Sequence, residues 1–75
     1  MGTIQTRLAK IQMVRNTLKK ATSIKKGVVK KKLVAELMME GLTKRTANEI
    51  IQSFIDTEEA EIEIIEGNEV LIYAK

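Results

Sequence analysis

Five lysines fall within eight positions, Lys25, Lys26, Lys30, Lys31 and Lys32, with no acidic residue between them. Ammonium groups at this density repel one another in a folded chain. They attract a polyanion, whose condensed counterions they release on binding. The charge of the whole chain is divided in the same way. Residues 1–35 carry ten Lys or Arg and no Asp or Glu, and residues 36–75 carry three Lys or Arg and ten Asp or Glu, so halves of +10 and −7 lie behind the net charge of +3. A plainer reading has the two halves pack together and neutralise each other. The uninterrupted runs Lys25-Lys26 and Lys30-Lys31-Lys32 favour the polyanion.

Other chemistries find little material. The chain has no Cys and no His, which removes disulfides, thiolate metal sites, the usual general base and the commonest zinc ligand. Ten carboxylates could include a catalytic pair, but there is no nucleophile and base to accompany them, so neither an enzyme nor a cofactor or metal site is expected. One Tyr, one Phe and no Trp do not make a platform for stacking single-stranded bases. Seventy-five residues amount to one small domain with a modest core. No apolar run approaches the roughly 20 residues of a membrane span, and no secretory signal opens the chain. The expectation is a single domain over 1–75, cytoplasmic and without a membrane partner.

Hydrophobic periodicity supplies the elements that must position these residues. Ile4, Leu8, Ile11, Val14 and Leu18 recur at helical spacing and predict a first helix over about 3–21, with Thr3 as N-cap. Arg15 falls inside that stripe, where it either snorkels at the core edge or meets a partner chain or a buried carboxylate. Thr22 to Gly27 reads as a loop and Val28-Val29 as a short strand. A second helix over about 30–40 buries Leu33, Val34, Leu37 and Met38, and Gly41 ends it. Leu42 then makes an apolar contact, and Thr43 caps a third helix over about 44–57. That helix has Ala47, Ile50, Ile51, Phe54 and Ile55 on its core side and Arg45, Glu49, Gln52 and Asp56 opposite. After Glu59 the period changes. Glu61-Ile62-Glu63-Ile64 alternates as a strand with one wet face, Gly67-Asn68 marks a two-residue hairpin turn, and Val70 to Tyr73 returns. The expected core holds Leu8, Ile11, Leu18, Leu33, Leu37, Ala47, Ile50, Ile51, Phe54, Ile62 and either Val70 or Leu71.

The order is helix, short strand, helix, tight glycine turn, helix, hairpin. The stretch Leu33-Val34-Ala35-Glu36-Leu37-Met38-Met39-Glu40-Gly41-Leu42-Thr43, the helix carrying Ala47, Ile50 and Ile51, and the Gly67-Asn68 tip together resemble the winged helix-turn-helix family over nearly the whole chain. In size and composition the chain is similar to small archaeal and archaeal-virus proteins of that family. The resemblance implies an α+β fold of three helices followed by a two-stranded β wing. One departure is visible: a small residue, often Ala, stands four before the turn glycine in the family, and Leu37 stands there here. A larger side chain at that position allows a different angle between the second and third helices.

The resemblance further implies that the third helix is a recognition helix lying in the major groove of double-stranded DNA. Lys44, Arg45, Thr46, Asn48, Glu49 and Gln52 would be its base-contacting residues, and the chain a sequence-selective regulator of transcription, associated with the nucleoid. Side-chain chemistry suits the roles: Arg45 forks onto guanine, Asn48 or Gln52 onto adenine, and Glu49 accepts from a cytosine amine. Arg45 and Glu49 are also spaced to pair along a solvated helix. Lys25, Lys26, Lys30, Lys31 and Lys32 would lie on phosphates, near a helix N-terminus that already favours them. Glu61, Glu63, Glu66 and Glu69 make the wing acidic, which suits a wing held off the DNA or one facing a protein. The alternative is therefore a protein-interaction module whose contact surface is the acidic wing. Finally, the first helix is long for a three-helix core, so a homodimer is expected through Ile4, Leu8, Ile11, Arg15 and Leu18.

Overall fold

The computed structural model of the chain describes residues 7–74. The Thr3 cap and the Ile4 contact lie outside the described residues. Six elements follow one another: α1 (Arg7–Lys25), β1 (Val28–Val29), α2 (Lys30–Met39), α3 (Lys44–Asp56), β2 (Ala60–Ile65) and β3 (Asn68–Tyr73). The architecture is α+β, three helices with one antiparallel sheet of strand order β1-β3-β2. The short strand expected at Val28-Val29 is therefore the third strand of the sheet, paired through Val28↔Leu71 and Val29↔Val70. The expected hairpin and the expected short strand thus form one three-stranded sheet, with β3 in the centre.

α1 runs four residues past the expected end, through Thr22 and Ser23 to Lys25. These residues are only mildly unfavourable in a helix. What stops the helix is Lys26, at φ 69, whose amide donates to the Thr22 carbonyl at 2.9 Å. The Thr22 hydroxyl also accepts from the Tyr73 amide at 2.9 Å, so a residue read as loop holds α1 to the end of β3.

The turn between α2 and α3 follows the expected plan. Gly41 takes φ 108, and its amide donates to the Met38 carbonyl at 3.0 Å while the Leu42 amide reaches the Leu37 carbonyl at 3.0 Å. This pair of bonds satisfies carbonyls left over at a helix end. Leu42 is buried beside the core. Thr43 then caps α3, its Oγ1 accepting from the Thr46 amide at 3.1 Å.

The hairpin turn is one residue earlier than expected. Ile65 pairs with Asn68, so the two turn residues are Glu66 and Gly67, at φ 51 and φ 81. Two successive left-handed residues match the right-handed twist of the strands. Asn68 belongs to β3 rather than to the turn.

The core is continuous. Val14 and Leu18 of α1, Leu33, Val34 and Leu37 of α2, Ala47, Ile50, Ile51 and Phe54 of α3, Leu42, Ala60 and Leu71 are all buried. Ile11 and Ile62 pack against it, half-buried. Two expectations fail. Leu8 is 71% exposed and Met38 is 48% exposed. Leu8, near the start of α1, does not pack against the core, and Met38 stands on the rim of a cleft described below. Among the described residues no helix is long and apolar enough to cross a membrane.

Candidate nucleic-acid interface

The lysine-rich segment is divided between two faces. α2 begins at Lys30 with Val29 as N-cap; no side chain caps its free amides and no acid stands in its first turn. Lys30 and Lys31 lead the helical rows that continue through Val34, Ala35 and Met38. These five residues line a cleft of about 520 Å³ with Lys44 and Asn48 from α3 and Glu69 from β3. Lys32 leads another row, followed at steps of four by Glu36 and Glu40. These three line a separate groove with Lys25, Lys20 and Thr17. Lys26 forms the left-handed corner after α1 and is exposed. The five lysines that read as one cluster thus have different electrostatic surroundings. Lys30 and Lys31 face a third cation, Lys44, across the cleft, whereas two carboxylates accompany Lys32.

The six candidate residues of α3 are divided as well. Lys44 and Asn48, four apart, form the row on the cleft side. Arg45, Glu49, Gln52 and Asp56 form an outer row that is exposed throughout. Within it Arg45 Nε donates to Glu49 Oε2 at 3.4 Å, a long contact between side chains that are 88% and 49% exposed. Such a pair is weakly held and yields readily to a competing partner. Gln52 Nε2 donates to Asp56 Oδ1 at 2.9 Å. Thr46 is engaged in the cap: its amide donates to Thr43 Oγ1, and its own Oγ1 accepts from the Thr43 hydroxyl at 3.0 Å. It is the least free of the six.

Sequence reasoning missed the place of Glu69. It follows the turn and lies on the face of β3 that also carries Leu71 and Tyr73, and the register gives β2 the matching face of Ala60, Ile62 and Ile64. Glu69 therefore joins the lysines of the cleft. Strand alternation from Leu71 is the signal that locates it. Treating Val70 and Leu71 as equivalent core candidates leaves that signal unused. The cleft consequently has an apolar floor, three cationic residues, one carboxamide and one carboxylate. It can hold an anionic chain by charge and offers both a donor and an acceptor for polar edges.

Away from the cleft, Arg15 and Glu59 form an ion pair. Arg15 Nη2 donates to Glu59 Oε1 at 3.1 Å, and the Tyr73 hydroxyl donates to Glu59 Oε2 at 2.9 Å. The guanidinium also lies over the Phe54 ring, 5.4 Å from its centroid. The hydrogen bond to Glu59 raises the pKa of Arg15 above its ordinary value. Partial burial, and then the bond to Glu59, raises that of Tyr73. Arg15 is thus satisfied by a carboxylate of its own chain, and Leu18 is fully buried. Neither is a free surface for the homodimer expected through the first helix. Among the described residues, Leu8 and the half-buried Ile11 are what that face leaves outward.

Among the described residues no group of three or more His, Cys, Asp or Glu is arranged to hold a metal ion. Comparison with known protein families, curated proteins and solved structures finds no match to this chain.

Proposed function

We propose that this chain is a winged helix-turn-helix protein that binds double-stranded DNA sequence-selectively and regulates transcription on the nucleoid. One observation carries the reading: Lys30 and Lys31, at an uncapped helix N-terminus, share a cleft with Lys44 and Asn48 at the start of α3. A helix start flanked by cations suits phosphate, and the adjoining helix offers its first turns to base edges. In this reading Lys30 and Lys31 hold phosphates, with Lys25, Lys26 and Lys32 carrying a smaller share. Lys44, Arg45, Asn48, Glu49 and Gln52 reach bases, and Thr46 fixes the start of the helix. Glu69 sets a limit on affinity for phosphate in general.

Titration of labelled duplexes over a range of salt tests the reading. Arg45→Ala should cost about 1–3 kcal/mol on a preferred site and much less on random duplex. Equal losses on both would contradict base readout by α3.

A second reading is supported by the β2–β3 hairpin. Glu61, Glu63, Glu66 and Glu69 are all exposed, and phosphates would repel them. The hairpin then faces a protein, and the chain is an interaction module as well as, or instead of, a DNA reader. Glu63→Lys separates these cases: it strengthens duplex binding if the hairpin lies along phosphates and leaves it unchanged if the hairpin faces a protein.

A further inference from the structure

The central strand β3 is apolar on both faces, and the helices cover only one. Leu71 is fully buried against them. Val70 and Ile72 point the other way, and Val29 stands beside Val70 on the same outer face. None of these three packs against the core. Across the sheet, Glu63 pairs with Val70 and Glu61 with Ile72. The outer face is therefore an apolar stripe, half-buried at Val29, Val70 and Ile72, edged on the β2 side by two exposed carboxylates. A strand of a sheet with one wet face ordinarily alternates apolar and polar residues. β2 does so from Ala60 to Ile64 and ends on Ile65, 45% exposed on the outer face; β3 does not.

A second apolar surface is left over in the same chain. The α1 stripe passes from Leu18 and Val14, which are fully buried, to the largely exposed Leu8. Arg7 and Lys10 both lie on one side of Leu8, about 100° and about 160° round the helix, and among the described residues neither forms an ion pair within 4.0 Å, just as Glu61 and Glu63 form none. One surface is apolar with an acidic edge, and the other is apolar with a basic edge.

We propose that the outer face of the sheet receives the N-terminal end of α1 from a second copy of the chain. Leu8 packs on Val70 and Ile72, and Arg7 and Lys10 meet Glu61 and Glu63. The assignment rests on the reading that the hairpin faces a protein rather than phosphate. Charge also separates it from a contact between two α1 helices, which would set Arg7 and Lys10 against their own copies, and from a contact between two outer faces, which would oppose acid to acid. The association is expected to weaken with salt, because its charged rim is exposed.

Sedimentation of the whole chain at tens of micromolar, without DNA and at low salt, tests this. The wild type should sediment above the monomer. The double variants Glu61→Lys/Glu63→Lys and Arg7→Glu/Lys10→Glu should each be monomeric, with unchanged circular dichroism. An equal mixture of the two should sediment above the monomer again, because the unaltered α1 end of the first variant meets the unaltered hairpin of the second. A monomeric wild type, a hairpin variant that associates as the wild type does, or a mixture that stays monomeric overturns the proposal. Duplex titration of the same hairpin variant distinguishes the two failures: unchanged DNA binding keeps the hairpin facing a protein of another kind, and tightened binding removes that reading as well.

Discussion

Arg15 and Glu59 lie 44 residues apart in the sequence and are joined by two hydrogen bonds, from Nε to Oε2 and from Nη2 to Oε1. The pair fastens the middle of α1 to the residue just before β2, and Tyr73 at the end of β3 closes on the same carboxylate. Both side chains are partly shielded, 30% and 15% exposed, so water is a poor substitute for either partner. Arg15→Ala should lower stability by about 1–3 kcal/mol, measured by urea unfolding. Arg15→Lys should recover only part, because an ammonium cannot donate in the forked geometry. The association state should not change with either variant. A loss of association without a loss of stability would return Arg15 to a partner interface.

Tyr73 is the only tyrosine in the chain, and there is no tryptophan, so its ionisation can be followed by ultraviolet absorbance without interference. Burial and the bond to Glu59 raise the folded pKa above the ordinary value of 10.0. The unfolded chain then loses its phenolic proton first. The stability that this contributes is fully present below pH 10.0 and is lost as pH rises through the folded value. The phenol should titrate at higher pH in the native protein than in urea. Tyr73→Phe should remove this alkaline loss while weakening the fold at neutral pH. Coincident native and urea titrations would show that Glu59 does not hold the phenol.

Two glycines should be intolerant for different reasons. At Gly67 nothing lies within 4 Å of an added Cβ, but φ is 81, so Gly67→Ala should cost about 1–2 kcal/mol through the left-handed backbone alone. At Gly27 an added Cβ would lie 2.9 Å from the Leu71 carbonyl oxygen and 3.0 Å from Val70 Cγ1. Backbone cannot yield as a side-chain end does, so Gly27→Ala should cost about 1–3 kcal/mol by overpacking. Thermal unfolding of the two variants checks both. Glu66→Asn should stabilise, since Asn accepts a left-handed φ more readily than Glu does. A destabilising Glu66→Asn would place the turn elsewhere.

Much of the fold is legible in the sequence because each signal is local. Gly41 after the Leu33-to-Met38 run, Thr43 ahead of the α3 stripe, and the switch to alternation after Glu59 each fix an element without knowledge of the rest. What is not legible depends on contacts between elements. Thr22 remains helical and meets the Tyr73 amide, although Thr-Ser-Ile-Lys-Lys-Gly reads as loop by composition. The turn falls on Glu66-Gly67 because the strand register pairs Ile65 with Asn68, which outweighs the usual preference for glycine followed by asparagine. Leu8 and Leu18 share one stripe and have opposite fates, because the stripe is longer than the helices that cover it. The candidate site divides for the same reason. Adjacency in sequence makes five lysines look like one cluster, and the helical rows of α2 send Lys31 and Lys32 to different grooves.

That division gives the most direct measurement. The salt dependence of duplex binding should be compared for two matched pairs of substitutions, Lys30→Ala/Lys31→Ala and Lys25→Ala/Lys32→Ala. If the cleft beside α3 holds the phosphates, the first pair should lower the slope of log K against log salt by about two units, one for each ammonium taken off a phosphate. The second pair should change it little, because Glu36 and Glu40 already accompany Lys32. No binding of the wild type to any duplex at low salt, or a larger change from the second pair, would contradict the account.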